Sequence, residues 1–316
     1  MAPGLRRMCC RMLLALASPV LAAQPTALRM DVKLVNVFVS VTGRNGDAVG
    51  GLTGKDFTLS EDGRPQRIAV FEREPETPLR LTLAIDTSGS VRKDMAAEAR
   101  AAREFARILL REQDQMSVLE FAGQVRELTP FTRRVRQIDH GLSRLRGGSA
   151  TALYDAICAA SKQLGGRAGR RVLVLISDGD DTAGGATYAE ALEQALLNGV
   201  TIDSIIDVPI LASAGRDLGG EHALISLAEQ TGGESFYFAA GAARRAAPDQ
   251  PDPLERAFRQ MAASLRSEYL LGYYPHFEKP GTAFHRIEVT LPAAGFEGVR
   301  LHYRSGYYAG SPGGDE

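Results

Sequence analysis

Residues 171–176 read Arg-Val-Leu-Val-Leu-Ile, with no polar residue alternating through the run. A strand that offered one face to water would alternate. A continuous apolar run of this length is a strand covered on both faces. Residues 81–85, Leu-Thr-Leu-Ala-Ile, have the same character. Around them lie stretches with helical spacing. Met95, Ala99, Ala102, Phe105, Ala106 and Leu109 mark a helix within 92–111, and further helices are predicted at 133–145, 152–164, 187–198, 221–230 and 254–265. Strands are predicted at 116–121, 200–206 and 234–238, with 125–128 as a short hairpin edge. This alternation predicts a doubly wound α/β unit, a mostly parallel sheet with helices on both faces. Right-handed crossovers bring the C-terminal strand ends to one edge, where ligands bind at a topological switch point.

The flanks are β-rich. Val35, Val37, Val39 and Val41 keep period two within 31–42, which places them on one face of a strand. Residues 44–47 read as a turn. Residues 57–59, the turn Glu61-Asp62-Gly63 and a strand at 66–71 complete a small antiparallel unit that needs a partner surface. Beyond the last helix the chain turns β again at 269–274, 284–291 and 299–303. Six of the nine tyrosines fall between Tyr269 and Tyr308, and these are expected to line a half-exposed sheet face. The N- and C-terminal strands are expected to pack together as a small β-sandwich. The expected organisation is a signal peptide at 1–23, a β-strand unit at 24–77, the α/β domain at 78–268, C-terminal strands at 269–310 and a disordered tail at 311–316.

The N-terminus bears on location. Arg6, Arg7 and Arg11 precede the short apolar stretch 12–21, and Val-Leu-Ala-Ala at 20–23 offers small residues for cleavage. This reads as a secretory signal peptide and predicts an exported chain, periplasmic, secreted or at the cell surface. Its removal takes three arginines and no acid, so the formal charge falls from −1 to −4. Neither value gives a basic footprint for nucleic acid. Cys9 and Cys10 leave with the segment, so Cys158 is expected as a small core residue with no disulfide partner. No other stretch reaches the roughly 18 apolar residues of a transmembrane helix.

Where strand 81–85 ends, Asp86, Ser88 and Ser90 stand at D-x-S-x-S spacing. One carboxylate and two hydroxyls are hard oxygen donors, suited to Mg²⁺, Mn²⁺ or Ca²⁺ and not to soft metals. They fall short of a full ligand set. Strand 171–176 is followed as directly by Ser177-Asp178-Gly179-Asp180-Asp181. Both loops open on the same edge of a parallel sheet, which makes Asp178 the second carboxylate. The helix-to-helix segment starting Gly147-Gly148-Ser149-Ala150-Thr151 would add Thr151 as a third hydroxyl, with Ser149 as an alternative. Asp180 and Asp181 read as a solvated acidic loop, and Asp155 as a first-turn partner of the helix dipole.

Asp86-x-Ser88-x-Ser90, Thr151 and Asp178 resemble the five positions of the metal-ion-dependent adhesion site of von Willebrand factor A domains. The resemblance covers about residues 79–268. The flanks are similar to a bacterial exported group of related proteins, with the Phe-Thr-Leu-x-Glu-Asp-Gly stretch at 57–63 and the tyrosine-rich tail. The resemblance implies that Ser88 and Ser90 bind the cation directly, Thr151 directly or through water, and Asp86 and Asp178 mainly through water. It implies Mg²⁺ as the usual metal and a partner protein's Asp or Glu at the vacant position. It therefore implies a non-enzymatic binding or adhesion module.

Two other readings compete. Asp86 could be the nucleophile of a Mg²⁺-dependent phosphohydrolase, though dehalogenase-like phosphatases carry a second Asp where this chain has Ser88. The chain could also be a scaffold with a vestigial metal site. It has no G-x-S-x-G elbow, and its five histidines lack zinc-binding helical spacing.

Overall fold

A computed structural model describes residues 34–88, 95–207, 218–238, 252–275, 283–292 and 295–309. The expected signal peptide, Ser90 and the tail at 311–316 lie outside the described residues. The N-terminal strands are β1 (Val35–Thr42), β2 (Thr58–Glu61), β3 (Arg64–Gln66) and β4 (Val70–Arg73). The α/β unit follows: β5 (Leu79–Asp86), α1 (Met95–Leu109), β6 (Gln115–Phe121), β7 (Val125–Thr132), α2 (Val135–Leu142), α3 (Leu153–Gly165), β8 (Arg170–Ser177), α4 (Tyr188–Leu197), β9 (Val200–Asp207), α5 (Leu218–Thr231), β10 (Ser235–Phe238) and α6 (Pro253–Arg266). The C-terminal strands are β11 (Tyr269–Tyr273), β12 (Phe284–Thr290), β13 (Arg300–His302) and β14 (Gly306–Tyr308).

The central sheet runs β10-β9-β8-β5-β6-β7, parallel except for β7, which pairs antiparallel with β6. β8 shows why the apolar run is needed. Val172, Val174 and Ile176 enter the core shared with α1, α2 and α6. Leu173 and Leu175 enter the opposite core, against α3, α4 and α5. Successive side chains alternate sides, and both sides are covered. Each such buried side chain contributes about 1.5–3 kcal/mol of transfer free energy. β5 and β8 are neighbours, yet the chain leaves β5 toward β6 and returns to β8 on the other side. The switch point therefore lies between the ends of β5 and β8.

Two four-stranded antiparallel sheets accompany it, β13-β1-β11-β4 and β14-β12-β2-β3. Their inward residues form one core that includes Val35, Val37, Val39, Leu59, Leu271 and Val289. The pairing differs from the expected N-terminal unit. β1 lies between β11 and β13, and β2 pairs with β12 and β3, so N- and C-terminal strands interleave. The strand expected at 66–71 is two strands in different sheets. β3 closes a hairpin with β2 through Asp62 and Gly63, at φ +50° and +77°, the conformation of a tight two-residue turn. The chain then crosses so that β4 can pair with β11.

Two further expectations are corrected. Of the six tyrosines, Tyr269, Tyr273 and Tyr307 are core residues with at most 2% exposure, whereas Tyr274 is exposed and Tyr303 and Tyr308 are half-buried. The hydroxyls of the three core tyrosines meet acceptors, the Val49 carbonyl for Tyr269 and Glu61 Oε2 for the other two, which permits burial of the whole ring. Cys158 is half-buried at the margin of its cluster and is a free thiol. Among the described residues no helix is long and apolar enough to cross a membrane.

Candidate functional site

β5 carries Asp86 to the C-terminal edge and buries it fully. Its Oδ1 accepts from the Ser88 amide at 2.9 Å, and its Oδ2 accepts from the Ser177 hydroxyl at 2.7 Å. Ser177 Oγ in turn accepts from the Gly179 amide at 3.1 Å. The ends of β5 and β8 are thus joined by one buried chain of hydrogen bonds. Burial pushes the Asp86 carboxyl up to about 6 against the pull of Ser88 and Ser177, and the nearby Asp178 charge adds to the rise. The Ser88 hydroxyl also bonds to Asp86, so Ser88, Asp86 and Asp178 share one neighbourhood.

Thr151 arrives from the segment between α2 and α3 and is buried. Its amide donates to Thr182 Oγ1 at 2.9 Å, and its carbonyl accepts from the amides of Thr182 and Ala183 at 2.8 and 2.9 Å. Gly148 donates to the Thr87 carbonyl at 2.8 Å. The Thr151 segment is therefore laced to the loops after β5 and β8. Ser149, the alternative hydroxyl, is exposed. Of the five residues singled out, Asp86, Ser88, Thr151 and Asp178 lie on this edge, and Ser90 lies outside the described residues.

Asp181 corrects the expectation of a merely solvated loop. Its Oδ1 accepts from the Leu153 amide at 2.8 Å and so caps α3. Asp155 lies in the first turn of α3, and its carboxylate accepts from the amides of Gly185 and Ala186 at 2.8 and 3.0 Å. Gly179 stands at φ +97°, and a Cβ there would lie 2.3 Å from the Gly220 carbonyl carbon. The loop carrying Asp178 can thus lie directly on the first turn of α5.

Sequence reasoning missed Ser177, Glu120, Thr182 and the capping role of Asp181. Glu120 carried a usable signal, being an acid within the apolar strand β6. It is buried and collects Thr87, Arg126 and the amides of Arg146 and Gly147, which ties the loop after β5, strand β7 and the loop after α2 together.

The donors fit a hard divalent cation. They are carboxylate and hydroxyl oxygens, and two neighbouring carboxylates repel one another without a compensating charge. Asp86, Ser88, Thr151 and Asp178 are the described residues that could hold such an ion. Beside them an open cavity of about 560 Å³ is lined by Thr87, Gly123, Arg126, Arg146 and Ser149 among others.

Residues 81–181 match the family model of the von Willebrand factor type A domain. Similar solved structures include the conserved hypothetical protein BatB from Bacteroides thetaiotaomicron, at 18% identity over 58% of this chain and 98% of that one, TM-score 0.43. A von Willebrand factor type A protein from Catenulispora acidiphila is 15% identical over 86% of this chain and 73% of that one, TM-score 0.49. The vWF domain of the type V pili tip protein Mfa5 from Porphyromonas gingivalis is 12% identical over 60% and 95%, TM-score 0.44. No curated protein sequence matches the chain. On the family match and the order of the six-stranded sheet, the chain carries a von Willebrand factor type A domain.

Proposed function

We propose that this chain is an exported, non-enzymatic protein-binding module that presents a divalent cation, Mg²⁺ or else Mn²⁺ or Ca²⁺, to an Asp or Glu of a partner protein. Asp86, Ser88, Ser90, Thr151 and Asp178 would hold the cation, within a domain spanning 78–268. The observation that carries the reading is the buried Asp86 at the switch point, bonded to Ser88 and repelled by Asp178. When bound, the cation would neutralise that repulsion. With few direct anionic ligands it would keep excess positive charge for an incoming carboxylate. Export rests on the basic and apolar segment at 1–23.

The phosphohydrolase reading is weaker. A nucleophilic carboxylate needs access to phosphorus, whereas Asp86 is fully buried with both oxygens hydrogen-bonded. Calorimetry with Mg²⁺ and Mn²⁺ on the wild type and on Asp86→Ala tests the proposal. Binding is expected in the wild type and lost in the variant, and equal binding by both would sink it. If alanine at Ser88, Ser90 and Asp178 left binding to an acidic partner untouched, a vestigial site would be the better account.

A further inference from the structure

The β2–β3 turn holds a second group of metal-ligating side chains, on the sandwich and not on the α/β sheet. Glu61, Asp62 and His285 each offer one ligand atom, and these atoms lie within 4.8 Å of one another. Pairing of β2 with β12 sets Ile287 opposite Glu61 and brings His285 beside the turn. Asp62 Oδ2 lies 2.8 Å from His285 Nδ1, and Glu61 Oε1 lies 3.8 Å from the same nitrogen.

The other oxygen of each carboxylate is anchored elsewhere. Glu61 Oε2 accepts from the hydroxyls of Tyr273 and Tyr307. Asp62 Oδ1 accepts from the Arg286 amide at 2.9 Å. The His285 ring stacks on Tyr307 at 5.5 Å. Each ligand thus has an outer partner that fixes it and one atom turned to a common point, which is the support that metal sites use. The Asp62 side chain is 48% exposed, which leaves an entry path.

A turn-fixing ion pair would account for Asp62 and His285. The tyrosine hydroxyls account for Glu61 Oε2, but neither they nor that ion pair account for Oε1, which lies toward the same nitrogen at 3.8 Å, beyond hydrogen-bonding distance. His285 and Arg64 both attract the Asp62 carboxylate, and a dication placed between Asp62 and Glu61 would balance the two carboxylates at once. The nearby Arg304 donates to the Asn36 carbonyl.

We propose that Glu61, Asp62 and His285 bind a first-row transition dication, for which Zn²⁺ is the probe. An imidazole with two carboxylates suits Zn²⁺ better than Mg²⁺, unlike the oxygen-only set at Asp86. Zinc bonds of about 2.0–2.2 Å separate tetrahedral ligand atoms by about 3.4 Å. The present spacings fall on either side of that value, so small side-chain rotations close the site. Three protein ligands leave a fourth position for water. The ion would clamp the β2–β3 turn to β12, joining residues 223 apart in sequence.

The test uses the full chain carrying Asp86→Ala, which silences the other proposed cation site and keeps the two readings separable. Calorimetry should give one Zn²⁺ per chain, and Zn²⁺, unlike Mg²⁺, should raise the melting temperature. Adding His285→Ala should weaken Zn²⁺ binding about 100-fold or more, and adding Tyr307→Phe about tenfold. Equal Zn²⁺ affinity with and without His285→Ala overturns the proposal, as does absence of binding to the Asp86→Ala chain. Should His285→Ala fail to fold, Asp62→Asn at the exposed turn carries the same expectation, and unchanged affinity there overturns it equally.

Discussion

Glu120 interrupts the apolar run of β6, and the reason is the number of donors it meets. Oε1 accepts from Thr87 Oγ1, from the Gly147 amide at 3.1 Å and from the Arg146 amide, while Oε2 pairs with Arg126. Burial works against ionisation here, but the Arg146 amide, Arg126 and the Gly147 amide outweigh it and hold the carboxyl below the usual range. A group held low in the folded state contributes stability above its unfolded pKa, and that contribution is lost as pH falls through the folded value. Glu120→Gln keeps the shape but turns an amide N–H₂ toward Arg126 or toward the backbone amides. It should lower the unfolding free energy by about 2 kcal/mol near pH 7. In urea titrations the gap between variant and wild type should close as pH falls below about 4.

Helix α3 depends on a residue outside itself. Its N-cap residue, Ala152, offers no side-chain acceptor, and Asp181 from the loop after β8 takes that part at the Leu153 amide. Asp181→Ala should cost about 1 kcal/mol in chemical denaturation, with faster hydrogen exchange at Leu153 and Tyr154. This contact also shows why some elements were readable in the sequence and others were not. β5 and β8 are covered on both faces, and an apolar run is the local trace of that. Asp86 and Asp178 were readable because the first directly follows such a run and the second stands one residue beyond one. Asp181 on α3 and Ser177 on Asp86 bridge 28 and 91 residues, and no local spacing encodes such pairs. The break between β3 and β4 left no trace either, since Arg67-Ile68-Ala69 contains no Gly or Pro to mark a crossing between sheets. β14 is three residues long and begins with Gly306, too short for an alternating pattern.

Where the sandwich meets the α/β unit, buried acids gather around one arginine. Arg170, at the start of β8, pairs with Glu268, and its Nη1 donates to the Leu265 carbonyl at 2.9 Å. Asp203 of β9 accepts from the Glu234 amide at 2.8 Å. Glu234 Oε1 accepts from Ser264 of α6 and from Ser40 of β1, which brings in the sandwich. Burial pushes Asp203 up to about 7, with the Glu234 charge adding to it. Burial likewise pushes Glu268 up to about 8 despite Arg170, with Asp203 and Glu234 adding to it. Asp203 and Glu268 titrate as a coupled pair. Unfolded Asp and Glu release their protons near pH 4, so between about 4 and about 8 the folded chain holds protons that the unfolded chain has lost. Stability then falls as pH rises through that window, by up to about 1.4 kcal/mol per pH unit for each proton held. Thermal unfolding at pH 5 and pH 8 should show a lower melting temperature at pH 8 in the wild type. Asp203→Asn and Glu268→Gln should each reduce that difference, because an amide keeps the shape and has no proton to lose. A wild-type difference that persists in both variants would place its origin away from this cluster.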